Sequence, residues 1–182
     1  MTNNSANVSL VDLPAMTIAG LGANFISALV RGSNAFEVLP KLWGDVWAVI
    51  GAVNAEVASE AKQWMVGALG EPDLMAYSEL GAEVEGLMNY FAGMRVDGLA
   101  PEHVQALVDA GLQLRSYAAG RFAVCEHVGL LDGLGETTAW FYQTWLPAEG
   151  LAERYANHYE IYDERFDMGS PSSIVMICAP VN

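Results

Sequence analysis

A stretch of small and apolar residues, Tyr117-Ala-Ala-Gly-Arg-Phe-Ala-Val-Cys-Glu-His127, predicts a β-strand that ends at Gly129. Apolar side chains then recur at helical spacing and predict a helix that Pro147 closes. Two strand-like runs, 159–163 and 174–180, follow it. The second half of the chain therefore predicts the order strand, helix, strand, strand. The apolar stripe of its helix consists of Leu134, Thr138, Phe141 and Trp145.

The first half of the chain has the same order of elements. Residues 8–26 predict a strand that Pro14 breaks and that bends near Gly20, and two later runs, 64–69 and 87–96, predict a pair of strands. Because sequence identity between the halves is weak, we expect a structural duplication in an α+β fold. The expected organisation is one domain over residues 1–182, built from two pseudo-repeats at about 8–96 and 112–181.

Two helices are predicted in the first half and directly after it. Asn34 and Glu37 resemble a capping box, and they introduce a helix with one apolar face. A short extra helix begins at Pro101 and ends at Gly111. The apolar face of the longer helix consists of Phe36, Leu39, Trp43, Val46, Ile50 and Val53.

Acidic residues outnumber basic ones throughout the chain. There are 22 acidic and 8 basic side chains, which gives a formal net charge of −14. A protein that follows nucleic-acid phosphates needs a positively charged face, so direct nucleic-acid binding is excluded. Hydrophobic residues make up 53% of the chain, which is typical of a packed core and not of a disordered segment.

The start of the chain and its cysteine content indicate a cytoplasmic protein. Residues 1–7 are polar and uncharged, without the basic and apolar regions of a signal peptide. The apolar runs are much shorter than the ~20 residues that cross a membrane, so no membrane association is expected. Cys125 and Cys178 do not make a disulfide framework, and we expect both to be reduced thiols.

Several motifs together resemble the GyrI-like, AraC-type effector-binding domains. The likeness covers residues 8–181, and its most specific part is the block around Glu160. The motifs of the second half are Ala119-Gly-Arg-Phe-Ala-Val-Cys-Glu-His-Val-Gly129, Trp145-Leu-Pro147, Tyr159-Glu-Ile-Tyr-Asp-Glu-Arg-Phe166 and Pro180-Val181; those of the first half are Leu13-Pro14, Leu42-Trp43 and Tyr90-Phe-Ala-Gly-Met-Arg-Val96.

The resemblance implies two βαββ repeats whose antiparallel sheet carries two helices on one face, with a hydrophobic cleft between the repeats. In multidrug-sensing bacterial regulators of transcription, this cleft binds lipophilic cations. Other members of the family bind a partner enzyme, and some hydrolyse cyclopropane-bearing compounds. The chain has no room for a helix-turn-helix, so it resembles a free-standing effector-binding domain.

Glu160 is the main candidate for binding or catalysis. Strand alternation puts His158, Glu160 and Tyr162 on one face, and the resemblance implies that the cleft acid of the family falls at Glu160. Among aromatic rings a carboxylate can pair with a ligand cation, and burial can raise its pKa so that it serves as a general acid. The alternative is an ordinary solvated carboxylate on a strand.

The other candidates for ligand binding are mostly aromatic. Tyr90 and Phe91 lie on opposite faces of one strand, and the resemblance favours Tyr90 for the cleft. Trp43 and Trp145 belong to helical stripes and are assigned to the core. Tyr162 is also the predicted partner of Glu160 in catalysis. The predicted ligand-binding residues are Glu160, Tyr162, Tyr90, Trp140, Tyr142, Met176 and Trp47.

The last strand departs from the family pattern. Strands of the form Ser-x-x-x-acid-x-aromatic-x-Pro are common there, but Met176 occupies the acidic position and Cys178 the aromatic one. A role that needs a second acid is therefore in doubt. Methionine would instead give the cleft a soft, adaptable wall.

The remaining polar residues do not form a cofactor site. His103, His127 and His158 fall on separate elements, and with the cysteines they show no metal-ligand spacing. Gly133-Leu-Gly135 lacks the lysine of a phosphate-binding loop. We expect neither a metal nor a cofactor.

Three functions remain open. The favoured one is a protein that binds a lipophilic small molecule, cations included, through Glu160 and aromatic side chains. The first alternative is a hydrolase of cyclopropane-bearing or other electrophilic compounds, with Glu160 as general acid/base. The second is a gyrase-inhibitor-like interaction module with a protein partner. Two inserted segments, around 76–89 and 100–111, are candidates for a cleft cover or a homodimer contact.

Overall fold

The computed structural model describes residues 7–27, 30–53, 57–58, 64–70, 85–151 and 158–182. Its strands are β1 (Asn7–Leu13), β2 (Met16–Ile26), β3 (Trp64–Gly70), β4 (Leu87–Arg95), β5 (Gln113–Tyr117), β6 (Gly120–Val128), β7 (His158–Asp163) and β8 (Ile174–Pro180). Its α-helices are α1 (Ala35–Val53), α2 (Pro101–Asp109) and α3 (Leu134–Trp140). A 3₁₀ turn, Leu131–Gly133, precedes α3, and a π-helical segment, Phe141–Trp145, continues it into a last α-helical turn, Leu146–Ala148.

All described strands form one antiparallel sheet, in the order β1-β6-β8-β7-β3-β4-β2-β5. The α+β class and the order strand, helix, strand, strand in both halves are confirmed. Two strand predictions were incomplete. Residues 8–26 form two strands separated at Pro14, and β5 was not predicted. The division into one domain with two pseudo-repeats stays a prediction.

The sheet is strongly curved, because short links connect its opposite edges. β1 and β2 lie at or near opposite ends of the sheet, yet the link between them is Pro14 and Ala15 alone. The link between β5 and β6 is equally short. As a result, the ring of Tyr117 on β5 reaches Tyr159 on β7, with centroids 5.5 Å apart. The inner face of the curved sheet therefore encloses its own apolar core, which includes Phe91, Phe122 and Ile161.

The outer face of the sheet carries the helices. α1 and α2 pack over β2 and β4, where Val46, Ile50 and Leu107 are fully buried. α3 and its π-helical continuation pack over β6 and β8, where Phe141 and Leu146 are buried. In the strand order, the central strands β3 and β7 lie between the two helix-bearing areas. Most of the inserted segment around 76–89 lies outside the described residues, whereas 100–111 contains α2.

Two predictions about α1 were wrong. The Asn34 side chain does not cap Glu37, because its Oδ1 accepts a hydrogen bond from the Ile26 N–H at 2.7 Å. Phe36 is not part of the buried face but is 81% exposed. The buried residues of the helix are Ala35, Leu42, Val46 and Ile50. In the first turn of α1, Ala35 is therefore buried in place of the predicted Phe36.

Candidate functional site

Strand β7 places Glu160 at the middle of the sheet, between the two helix-bearing areas. Tyr159 and Ile161 point into the inner core, so the side chain of Glu160 points to the outer face. Its neighbours in the adjacent strands are Gly67 of β3 and Ile177 of β8. On the outer face, the described part of α1 reaches this central strip through Trp43, which contacts Tyr162, and the continuation of α3 reaches it through Tyr142, which contacts His158. We call this strip the central groove.

Two tyrosines hold one oxygen of this carboxyl group. The Tyr90 hydroxyl donates to Glu160 Oε2 at 2.7 Å, and the Tyr162 hydroxyl donates to the same oxygen at 2.9 Å. The two hydroxyl oxygens are 3.5 Å apart. No residue that the structure describes forms a hydrogen bond with Oε1. One carboxylate oxygen is therefore fixed in place, and the other is available to a further partner.

Aromatic rings surround the two tyrosines. Trp43 of α1 meets Tyr162 and Tyr90 edge to face, with centroids 5.4 Å and 6.2 Å away. Phe25 meets Tyr90 at 6.1 Å, and Phe166 meets Tyr162 at 4.9 Å. Edge-to-face pairs of this kind stabilise a defined ring orientation. The carboxyl group thus lies in apolar, aromatic surroundings whose geometry is set by packing.

The site is partly open to solvent. Tyr90 is 1% exposed, whereas Glu160, Tyr162, Trp43 and Trp47 each keep part of their surface accessible. Burial still raises the pKa of Glu160 above its usual value, and the hydrogen bonds from the two tyrosines lower it in part. Burial and the nearby carboxylate hold the pKa of Tyr90 and of Tyr162 well above 10.0, so both hydroxyls remain hydrogen-bond donors at neutral pH.

The structure brings together three of the predicted site residues and places a fourth nearby. Glu160, Tyr162 and Tyr90 form the hydrogen-bonded group. Trp47 packs on the α1 side, about one helical turn from Trp43. Trp43 was assigned to the core, and it packs there while its ring also contacts both tyrosines.

Three other predicted residues are not brought to Glu160. Met176 pairs with Ile161 and faces the inner core, on the opposite side of the sheet. Trp140 packs in the α3 cluster. Tyr142 also packs there, but its hydroxyl forms a 2.8 Å hydrogen bond with His158 Nδ1. Since His158 shares the outer face of β7 with Glu160, Tyr142 borders the central groove from the α3 side.

Sequence reasoning missed three residues of the site. Phe25 and Phe166 contact the tyrosine rings, and Gly67 lies directly opposite Glu160 in the sheet. Phe166 stands in the same motif as Glu160, which was a usable signal. Gly67 was also visible as a glycine inside a predicted strand, where glycine often marks a close approach.

Among the described residues, no group of three or more His, Cys, Asp or Glu side chains has the arrangement of a metal site. In the same part of the chain, none of the helices has the length and apolarity needed to pass through a membrane.

Comparisons with known proteins give a family match and several structures of similar fold. Residues 6–181 match the family described as GyrI-like small molecule binding domain. No curated protein sequence matches the chain. SAV2435 bound to tetraphenylphosphonium is a similar structure, with a TM-score of 0.64 and 15% identity over 97% of this chain and 94% of that one.

Two further structures show the same fold. A putative bacterial transcription regulation protein from Staphylococcus aureus MU50 has a TM-score of 0.60 and 15% identity, over 97% of this chain and 98% of that one. A hydrolase from Listeria innocua has a TM-score of 0.52 and 12% identity, over 97% and 92%. Similar backbones are thus found in proteins described as a regulator and as an enzyme.

Proposed function

Because the chain belongs to the family of GyrI-like small molecule binding domains, we propose that it binds a lipophilic cation in the central groove, with Glu160 as the counter-ion. The observation that carries this proposal is the asymmetry of the carboxyl group. Oε2 accepts both tyrosine hydroxyls, while Oε1 receives no hydrogen bond from the described residues. A cation beside Oε1 gives the second carboxylate oxygen a partner and leaves both tyrosine hydrogen bonds in place.

The surroundings of Glu160 favour a cation that is large and apolar. Trp43 and Tyr162 offer aromatic surface beside the carboxylate, and a cation over such a ring gains about 0.5–2 kcal/mol. A small hydrated cation would lose its water shell without gaining enough new ligands, because one free oxygen is offered. The net charge of −14 raises the local concentration of cations of any size. It therefore supports a positive charge on the ligand but does not identify the ligand.

Tetraphenylphosphonium is the natural first probe, because it is a lipophilic cation with no hydrogen-bonding group and because SAV2435 binds it. Its charge is permanent, so the protonation of the ligand does not change with pH. In isothermal titration calorimetry, we expect binding to the native chain with one site. Loss of the charge partner in Glu160→Gln should weaken binding roughly 10- to 100-fold, the range typical of a hydrogen-bonded or charged contact of about 1.5–3 kcal/mol.

The control is Glu164→Gln, which makes the same change in net charge at an exposed position. It should bind tetraphenylphosphonium as the native chain does. Tetraphenylsilane, a neutral molecule of similar shape that also has no hydrogen-bonding group, should bind native protein and Glu160→Gln alike. Equal affinity of Glu160→Gln and Glu164→Gln for the cation would contradict the proposal.

A second candidate function is hydrolysis of an electrophilic small molecule. The observation that favours it is the raised pKa of Glu160, since an acid with a pKa nearer neutrality serves both to give and to accept a proton. The Tyr162 and Tyr90 hydroxyls would then orient the carboxyl group. The test is product formation from a panel of cyclopropane-bearing substrates. Turnover by the native chain that is lost in Glu160→Ala supports hydrolysis, and an inert native chain excludes it for that panel.

A further inference from the structure

Tyr90 and Glu160 do not lie on neighbouring strands. Tyr90 is on β4 and Glu160 is on β7, with β3 between them. Adjacent strands are about 4.8 Å apart, so the two backbones are separated by roughly 10 Å. To reach Glu160 Oε2 at 2.7 Å, the Tyr90 side chain has to lie across the outer face of β3.

Gly67 is the residue that the Tyr90 ring crosses. It pairs with Glu160 on one side and with Ala92 of β4 on the other. A Cβ atom added to Gly67 would lie 1.8 Å from the Tyr90 Oη and 2.2 Å from its Cζ. Neither distance is possible between non-bonded atoms. The Tyr90 hydroxyl therefore occupies the space that any other residue at position 67 would fill.

The backbone gives no separate reason for glycine at this position. Gly67 is not among the glycines with positive φ, so an alanine could adopt its conformation. Glycine inside a strand also costs stability, because the unfolded chain loses more freedom and no side chain packs. The contact with Tyr90 is thus the feature of the structure that accounts for the missing side chain.

We propose that Gly67 is a positioning residue of the central groove: by lacking a side chain, it lets the Tyr90 phenol cross β3 and hold Glu160 Oε2. With the Tyr162 hydroxyl, the hydrogen bond from Tyr90 fixes Oε2, and Oε1 receives none from the described residues. The importance of this hydrogen bond for ligand binding rests on the proposed function. The arrangement of Gly67, Tyr90 and Glu160 is independent of that function. It can be tested on the protein alone.

The titration of the Glu160 carboxyl group reports on this contact. The titratable groups near it in the described residues are Tyr90 on β4, Tyr162 and His158 on β7, and Cys178 on β8, whose thiol lies on the inner side of the sheet. The α1 side chain that borders the group is Trp43, which does not titrate. Each tyrosine hydroxyl stabilises the ionised carboxylate, so loss of one of them should move the titration to higher pH.

The experiment follows the Glu160 side-chain carboxyl carbon by NMR in ligand-free protein over a range of pH. Tyr90→Phe should raise the midpoint, and Gly67→Ala should raise it in the same direction by at least half as much. Gly22→Ala is the matched control on another strand, because its added Cβ would meet the end of the Arg115 side chain at 3.1 Å and the Phe91 ring at 3.4 Å. An unchanged midpoint in a folded Gly67→Ala variant would overturn the proposal.

A second measurement covers the case in which Gly67→Ala does not fold. Tyr90→Ala removes the ring that the new methyl group would strike, so Gly67→Ala should be tolerated in that background. We expect Gly67→Ala to lower Tm in the native chain and to lower it by less than half as much beside Tyr90→Ala. Equal losses of Tm in both backgrounds would show that the cost does not come from Tyr90, and this would also overturn the proposal.

The two proposals fail separately. If tetraphenylphosphonium does not bind the native chain, the proposed function falls, while the shift of the Glu160 midpoint in ligand-free Gly67→Ala still supports the role of Gly67. If that midpoint does not move but the cation binds through Glu160, the role of Gly67 falls and the proposed function stands.

Discussion

The indole ring of Trp43 on α1 meets the phenol ring of Tyr162 on β7 edge to face, with ring centroids 5.4 Å apart. This contact joins the helix to the central strand at the point where Glu160 projects into the groove. Tyr162 donates to Glu160 Oε2, so Trp43 lies one ring away from the carboxyl group. A ligand held at Oε1 should therefore change the surroundings of this indole.

Tryptophan fluorescence should report this change mainly through Trp43. The chain has five tryptophans, and Trp145 stacks on Phe141 in the α3 cluster, away from the central groove. We expect tetraphenylphosphonium to quench the emission of the native chain, and Trp43→Phe to lose most of that quenching. Trp145→Phe should keep it. Quenching that survives in Trp43→Phe but disappears in Trp145→Phe would move the ligand to the other helix.

Binding of a permanent cation should depend on pH through Glu160. The carboxyl group pairs with the cation only when it is ionised, and burial raises its pKa above the ordinary 4.5. Affinity for tetraphenylphosphonium should therefore fall as the pH decreases through that raised pKa, by up to tenfold per pH unit once Glu160 is protonated. Isothermal titration calorimetry at several pH values measures this pH dependence of the affinity. In Glu160→Gln the affinity should be low and nearly independent of pH.

The element order could be predicted from the sequence because it depends on local periodicity. The apolar run of β8, 174–180, and the helical spacing of apolar residues after Leu134 are visible in the sequence alone, although the buried threonine of α3 is Thr137 and not the predicted Thr138. Strand pairing could not be predicted in this way. β1 and β2 were treated as one bent strand, because nothing local shows that β1 pairs with β6 while β2 pairs with β4 and β5. Those pairings depend on contacts between residues far apart in the sequence.

The residues of the site could be predicted in part, as far as one strand or the family resemblance identified them. Alternation within one strand put Glu160 and Tyr162 on one face, and the family resemblance added Tyr90. Met176 was included because it occupies the acidic position of the family pattern in the last strand, but it pairs with Ile161 and packs on the inner face. A shift of one residue in register exchanges the two faces of a strand, and the sequence of one strand does not contain its register.

A buried hydrogen-bond network away from the groove predicts a variant that affects stability alone. His127 is 5% exposed, and its Nδ1 and Nε2 form hydrogen bonds with Thr137 Oγ1 at 2.8 Å and Leu130 O at 3.0 Å. These bonds join the end of β6 to α3. Thr137→Val leaves one imidazole nitrogen without a partner and should lower the free energy of unfolding by about 1–3 kcal/mol.

Denaturant unfolding measures the effect of Thr137→Val, and binding of tetraphenylphosphonium provides the control. Because Thr137 lies outside the central groove, the affinity of the folded variant should equal that of the native chain. Thr138→Val is a comparison in the same helix, since its hydroxyl donates to the backbone oxygen of Leu134 and not to a histidine. A similar loss in both variants would mean that the histidine contact adds no stability of its own.

The contribution of Glu160 to the free energy of unfolding should be smaller at neutral pH than in acid. Its pKa is raised on folding, so between the unfolded and folded pKa values the folded state binds more protons than the unfolded state. Stability from this group is therefore greatest below the unfolded value, near 4.5, and falls as the pH rises through the folded pKa. The charge costs stability because the aromatic surroundings solvate it poorly.

Glu160→Gln removes the charge but keeps an oxygen that can accept a tyrosine hydroxyl. Near neutral pH the variant should therefore melt at a higher temperature than the native chain, with about 2–4 °C for each kcal/mol gained in a chain of this size. The difference should shrink as the pH falls toward 4.5, where the native carboxyl group becomes neutral as well. Thermal melts over this range, with Glu164→Gln as the exposed control, measure it. A difference in Tm that is independent of pH would show that the gain comes from packing, and that Glu160 is not an ionised group held in place for a cationic partner.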